Sequence, residues 1–156
     1  MTPAVRAAEA AKIAFTLHRY EHDPDADSFG LEAAEKLDLS PNRIFKTLVA
    51  RVDSNEFVFA VVPVTERLDL KKLAAAAGGK KADMADPTAA ERATGYVVGG
   101  ISPIGGRRRL HLFLDESALA FETVFVSAGQ RGLQMELSPH DLIRLTGATT
   151  AAIAVR

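Results

Sequence analysis

The sequence predicts a mixed α+β fold, α/β in the broad sense, with helices set around a mixed sheet. Three observations predict it: four pairs of a polar residue with proline, two amphipathic stretches that stop at glycine, and seven short strand-type runs scattered between them. Helix and strand do not alternate regularly, and no Rossmann or Walker glycine pattern is present, so a doubly wound nucleotide-binding sheet is disfavoured.

The pairs Thr2-Pro3, Ser40-Pro41, Asp86-Pro87 and Ser138-Pro139 each join an N-cap side chain to a ring preset for the first helical position, marking four helix or turn starts. Strand-forming residues gather in Phe15 to Tyr20, Phe45 to Val52, Phe57 to Val62, Tyr96 to Val98, His111 to Leu114, Thr123 to Val126 and Leu133 to Leu137. The turn-sized gap Asp53, Ser54, Asn55 makes Phe45 to Val62 an antiparallel hairpin with strands buried on both faces. After Asp69, Leu70, Leu73, Ala74 and Ala77 recur at helical spacing and Gly78 is placed to terminate. The last helix runs from Ser138 through Leu142, Ile143 and Leu145 to Gly147.

A chain of 156 residues with 47% hydrophobic and 25% charged residues suits one domain, residues 1–156, with a real core. Cysteine is absent, which removes disulfides, thiolate catalysis and Cys-based metal sites and fits a cytosolic home. The first segment carries Arg6, Glu9 and Lys12 and does not read as a signal peptide, and no apolar run is long enough to span a bilayer. A net charge of −1 gives no global attraction to nucleic acid, so DNA is not an expected partner and any RNA contact must be local. Arg107, Arg108 and Arg109 form the one concentrated basic run. A phosphate contact and a solvated turn are both open for it.

Two stretches carry the candidate chemistry. Lys46 stands in Phe45-Lys46-Thr47-Leu48-Val49-Ala50, on the strand face of Leu48 and Ala50 and opposite Phe45, Thr47 and Val49. It either guards a sheet edge or points into a pocket as a desolvated ammonium. The glycine loop Gly95-Tyr96-Val97-Val98-Gly99-Gly100-Ile101-Ser102-Pro103 is read as following a strand, where it is either a tight turn or a set of bared amides facing an anionic or polarised ligand. Elimination leaves few rivals. His18, His22, His111 and His140 do not pair at metal spacing, no HExxH or Gly-x-Ser-x-Gly motif occurs, and Ser102 has no histidine partner in view. No metal and no cofactor is expected.

Ordered stretches along nearly the whole chain resemble the bacterial YbaK/EbsC family of Cys-tRNA(Pro) deacylases, relatives of the editing domain inserted in prolyl-tRNA synthetases. They are Met1 to Val5, Tyr20-Glu21-His22-Asp23-Pro24, Phe45-Lys46-Thr47-Leu48, Leu68 to Lys72, Met84-Ala85-Asp86-Pro87, Thr94 to Pro103, Val126-Ser127 and Arg131-Gly132-Leu133. The resemblance implies a partly barrel-like central sheet with flanking helices. It also implies release of cysteine wrongly attached to proline tRNA, with the aminoacylated 3′ end as partner; the small basic surface adds the expectation that tRNA selectivity is supplied by docking to prolyl-tRNA synthetase.

Carried over residue by residue, the family's lysine falls on Lys46, its tyrosine on Tyr20, its glycine loop on Gly99 and Gly100 and its serine on Ser127; Lys46, Gly99 and Gly100 are the expected catalytic groups, and Tyr20, Phe29, Ile101, Ser102, Ser127, Gln134 and Glu136 the expected substrate-binding ones. One position departs from the family: Gln134 stands where an aspartate is common. An amide donates and accepts hydrogen bonds but supplies no charge, and period two puts Glu136 on the same face as a displaced carboxylate. For the family the substrate's own thiol is proposed to attack the ester, with water as the rival nucleophile. Ser- or Ala-charged tRNA as substrate, and a non-catalytic tRNA-binding module, are the alternative functions.

Overall fold

In the computed structural model, which describes residues 1–156, the elements run in the order α1 (Pro3–Ala10), β1 (Phe15–Arg19), α2 (Phe29–Lys36), β2 (Phe45–Val52), β3 (Glu56–Pro63), α3 (Leu70–Ala76) and β4 (Ala82–Met84). They continue as α4 (Pro87–Thr94), β5 (His111–Asp115), β6 (Val124–Gln130), β7 (Leu133–Leu137), α5 (Pro139–Thr146) and β8 (Thr149–Ala151). The strands form two sheets, one in the order β1-β7-β6 and one in the order β4-β2-β3-β5-β8. The first is antiparallel; the second mixes antiparallel pairs with the parallel pairs β3–β5 and β5–β8. A single parallel bridge, Ile44 to Phe125, links them, so the partly barrel-like arrangement consists of two sheets that do not close.

Local chemistry accounts for the helices. Thr2, Asp86 and Ser138 cap α1, α4 and α5 by accepting the amides of Val5, Ala89 and Asp141, each with proline at the first position. Gly95 and Gly147 end α4 and α5 in the left-handed region. Ser40-Pro41 opens only a short 3-10 turn, Pro41–Arg43, because the chain enters β2 two residues later. The Tyr96 to Val98 run is not a strand. Gly95 turns the chain out of α4, and the Tyr96 hydroxyl, buried, donates to the Ile104 carbonyl at 2.7 Å, so this apolar run is a loop packed into the core.

The β2–β3 hairpin pairs Phe45 with Pro63 through to Val52 with Glu56, and Asp53 and Ser54 both take positive φ in the turn. Phe45, Val49, Phe59 and Val61 face the first sheet across the main core, together with Val126, Met135, Leu137 and α1. Ala50, Val58, Ala60 and Val62 lie on the other face, under Leu73 and Ala74 of α3. Outside the small sheet, Ala33 and Ala34 of α2 cover Ile44 and Phe125.

One detail of pairing positions the site. The Val64 amide bonds the Ile44 carbonyl, which fixes the antiparallel phase: even residues of β2 bond β3, and Phe45, Thr47 and Val49 turn their backbone groups to the opposite edge. On that edge β4 pairs only with Ala50, Arg51 and Val52, extended by the Ala85 amide on the Val49 carbonyl. The Lys46 to Leu48 stretch is left outside the β4 ladder.

The C-terminal segment is held by Asp115. This carboxylate is fully buried and accepts from the Ile153 and Ala154 amides at 3.0 and 3.1 Å, from Ser117, and from Arg156. Burial alone raises its pKa, but Arg156, Ser117 and Ile153 outweigh it and hold the group down at about 2. A depressed folded pKa stabilises above the ordinary value near 4, and that contribution is lost as pH falls from there through about 2. Asp115→Asn is therefore expected to lower the melting temperature at pH 7 and to flatten the acid-unfolding curve between pH 4 and pH 2 relative to the parent, as followed by circular dichroism.

Candidate active site

Where β2 outruns β4, a cavity of about 360 Å³ opens against the small sheet. Its wall brings together Phe29, Lys46, Gly99, Ile101, Ser127 and Gln134, along with Thr47, Leu48, Val64, Ala85 and Pro87. Both faces of β2 contribute because the cavity wraps the open edge, so Lys46 and Thr47 line it although their side chains alternate. Burial lowers the Lys46 pKa, and no carboxylate offsets it. The one acidic residue on the wall, Asp27, is exposed and makes no ion pair with it.

The glycine loop is fixed from several sides. The Val98 amide donates to Glu91 at 2.8 Å, and Arg131 Nε donates to the Val98 carbonyl at 2.9 Å while its guanidinium stacks 5.2 Å from the Phe29 ring centroid. The Gly100 amide bonds the Val97 carbonyl at 2.8 Å, so it is not free to hold a ligand; Gly100 also lies outside the cavity wall. What Gly100 supplies is clearance, since a Cβ there would stand 2.8 Å from the Gln130 backbone. Gly99 differs on each count. Its φ is +89°, a Cβ would meet the Phe29 ring at 2.7 Å, and its amide has no acceptor in the protein; the neighbouring Ile101 amide has none either.

The small sheet supplies the opposite wall. Ser127 and Gln134 are cross-strand partners on β6 and β7, just before the irregularity in β6 between Ser127 and Gln130, and the Ser127 hydroxyl accepts the Gly129 amide at 3.2 Å. Gln134 is only 7% exposed, and its Oε1 has no hydrogen-bond partner. Thr47 Oγ1 is likewise buried without one. Two residues on this wall thus each carry a buried, unsatisfied side-chain oxygen, an arrangement that costs free energy until a donor reaches it.

The remaining predicted residues sit elsewhere. Glu136 shares the face of Gln134 but lies beyond the cavity, accepting from Thr123 at 2.6 Å and His18 at 2.9 Å and facing Arg43 at 3.4 Å. The Thr123 hydrogen bond is the largest influence on it and, with His18 and Arg43, keeps its pKa low despite burial, so it is a structural anion and not a displaced site carboxylate. Ser102 is fully buried, accepts the Ile104 amide and does not reach the wall. Tyr20 packs with the α2 cluster, its amide on the Gly132 carbonyl; burial, then the Glu32 charge, raises its phenol pKa. The arginine run divides: Arg107 lies under Gly95, Arg108 near Phe57 and Arg109 near Gly147, and none borders the cavity.

Thr47 and Arg131 were not singled out from the sequence as site residues. The signal for Thr47 was its place beside Lys46, masked by strand alternation. Arg131 acts through the loop it clamps, which only the folded geometry reveals.

Comparison with known proteins decides the family. Residues 23–145 match the model of the aminoacyl-tRNA editing domain. The chain belongs to that family. By family it is an aminoacyl-tRNA editing deacylase. An Enterococcus faecalis relative described as "Putative Cys-tRNA(Pro)/Cys-tRNA(Cys) deacylase EbsC" is 40% identical over 156 residues, covering 99% of this chain and 94% of its own. An Escherichia coli relative, "Multifunctional Ser/Thr-tRNA deacylase ProXp-y", is 30% identical over 104 residues, 64% of this chain and 62% of its own. A crystal structure described as "a putative trans-editing enzyme for prolyl tRNA synthetase" has the same fold, with a TM-score of 0.83 at 24% identity over 100% of this chain and 99% of that one. No helix is long and apolar enough to cross a membrane.

For this editing domain, two stability measurements test the site geometry. Lys46 has a depressed folded pKa and no counter-ion, so stability should rise as pH climbs through that pKa toward 10.5, and Lys46→Met should melt higher than the parent at pH 7 while losing activity. Gly99→Ala should cost about 1–2 kcal/mol for the left-handed backbone plus the clash with Phe29. Placing it in a Phe29→Ala background should remove the clash and leave the backbone cost, giving a coupling measurable by a double-mutant cycle.

Proposed function

We propose that this enzyme removes cysteine from mischarged Cys-tRNA(Pro), with the substrate's own thiol as nucleophile. The observation that carries the proposal is the partnerless Lys46 ammonium on the wall of a small cavity that is also lined by Gly99, whose amide has no acceptor in the protein. Both suit an ester carbonyl whose oxygen gains negative charge as it is attacked. The ester is already activated, so orientation and charge stabilisation suffice without a protein nucleophile. In the proposed step the cysteine sulfur bonds to the carbonyl carbon, the carbon–oxygen ester bond breaks, the thiol proton passes to the departing ribose oxygen, and a cyclic thiolactone is left.

The physical need is clear. A synthetase pocket shaped for proline discriminates against a substrate of nearly equal size by only about 1–3 kcal/mol, so a second sieve is required. The cavity's volume lies at the low end for ligand sites, in keeping with one small aminoacyl group and part of the terminal ribose. The Gln134 amide, next to Ser127, accepts from the substrate's α-amino group. The name of the E. coli relative, together with a neutral amide at Gln134, supports a second reading: hydroxyl-bearing amino acids removed by water. In either reading the enzyme works in the cytosol beside translation, with prolyl-tRNA synthetase as its docking partner.

A deacylation panel separates the readings. Under thiol attack, Cys-tRNA(Pro) is released, Ser- and Ala-tRNA(Pro) are inert, and the thiolactone appears by mass spectrometry. Release of Ser- or Thr-charged tRNA at comparable rates would overturn thiol attack in favour of water. Lys46→Ala should lower kcat by about 10²-fold or more, the scale for removing one oxyanion donor, and an undiminished rate would remove Lys46 from the mechanism.

A further inference from the structure

Across α4 from the acyl cavity lies a second cleft, of about 380 Å³, and its charge is one-sided. Arg51, Arg92 and Arg108 border it, together with Phe57, Thr88 and Asp86. Arg51 and Phe57 are cross-strand partners of the β2–β3 hairpin, and the Arg51 guanidinium stacks 4.6 Å from the Phe57 ring centroid. Arg108 reaches the same ring at 5.6 Å. The chain brings these groups from β2, from α4 and from the loop before β5, so their convergence is a product of the fold.

None of the three guanidinium groups meets an acceptor in the protein. Arg6, Arg43, Arg131, Arg144 and Arg156 do, through carbonyls or carboxylates, whereas Arg19, Arg67, Arg107 and Arg109 do not; what sets the three apart is that they converge on one cleft. The one carboxylate on the cleft, Asp86, is engaged in capping α4 through the Ala89 amide. In a chain of net charge −1 this concentration is local: three cations meet a single carboxylate on one cleft, and an anion bound there would balance the excess. Phe57 draws two of the guanidinium groups together, both within cation–π range of its ring.

Position identifies the anion. Met84, Ala85, Pro87 and Ala90 face the acyl cavity, whereas Asp86, Thr88, Ala89 and Arg92 face the cleft, so one segment forms the wall between the two. A helix with its side chains is roughly 10–12 Å across, a distance covered by a few nucleotides of a single strand. We propose that Arg51, Arg92 and Arg108 bind the phosphodiester backbone of the RNA strand whose acylated end occupies the cavity. This assignment rests on the deacylase reading above and adds the surface that grips the nucleic acid. It takes Arg108 alone from the arginine run and joins it to two residues far away in sequence.

The test compares the parent with the Arg51→Ala/Arg92→Ala/Arg108→Ala variant and with the single variant Arg92→Ala, which should show a smaller loss of the same kind, and melting curves confirm folding. Three measurements are made: affinity for uncharged tRNA across a salt series, kcat/KM on aminoacyl-tRNA, and kcat/KM on the same amino acid esterified to adenosine, which has no phosphate. The expected result is a tenfold or greater loss of tRNA affinity and a salt slope shallower by about 2, from about 0.7 per phosphate. The loss on aminoacyl-tRNA should fall on KM, with the adenosine ester unaffected. An equal loss on the adenosine ester, or unchanged tRNA affinity, would overturn the assignment. Inorganic phosphate binding that disappears in the variant while tRNA affinity stands would reassign the cleft to free phosphate. A parent inert toward every charged tRNA would sink the deacylase reading instead, and uncharged-tRNA binding would still decide the cleft.

Discussion

The whole site follows from an inequality in length: β2 is eight residues long and β4 is three. One edge of β2 is bonded along its full length to β3, while the other is covered only at its far end. Backbone groups at a strand edge must find partners or meet solvent or ligand. Here the small sheet approaches closely enough to form one bridge at Ile44 and then diverges, and the gap it leaves is the cavity. A longer β4 would pair the edge at Thr47, fill the gap and remove the site without disturbing either hydrophobic core.

Within that gap the fold keeps an ammonium partly out of water with no anion to answer it. An arrangement of this kind lowers stability, and structures retain it where the unanswered charge has work to do on a ligand. The loop opposite is made rigid by contacts on its outer side. Glu91 and Arg131 hold Val98, Tyr96 is anchored to Ile104 with its phenol pKa pushed up to about 12 by burial, and Gly100 is bonded back to Val97. With Val98 and Gly100 engaged on either side, the free Gly99 amide is held in place, and under the proposed function little reorganisation is required when charge develops.

How much of this the sequence disclosed can be traced to particular residues. The proline-marked helix starts, the glycine terminators and the hairpin were legible because each depends on neighbours within a few positions. Lys46 was legible as an anomaly, a charge in an apolar strand. The Tyr96 to Val98 run misled because an apolar β-branched run reads as a strand, whereas the left-handed turn at Gly95 decides its course. The helix at Phe29–Lys36 was not predicted although it carries local marks, the Ser28 cap with Glu32 in its first turn and Lys36 in its last, whereas the short strands β4 and β8 lack strong local signals and are formed by pairing with β2 and β5. The sidedness of Glu136 was readable from period two, but its distance along β7 from the cavity and its partners Thr123, His18 and Arg43 are tertiary facts. Likewise, Gly99 and Gly100 look alike in sequence, and only the hydrogen bonds separate a free donor from an engaged one.

The amide at Gln134 bears directly on Lys46. A carboxylate at that position would place a negative charge on the wall of the same small, partly desolvated cavity, where charges are weakly screened and opposite ones associate strongly. It would bind the substrate's ammonium more tightly, and it would also compete with the developing oxyanion for Lys46. The neutral amide gives up the first effect and avoids the second. Under the proposed function, recognition of the amino group falls to a hydrogen bond at the unsatisfied Oε1, while the field of Lys46 is directed at the ester. On that reading, affinity for the amino acid and stabilisation of the transition state are assigned to different walls of the cavity, and Gln134→Asp should raise the first and lower the second.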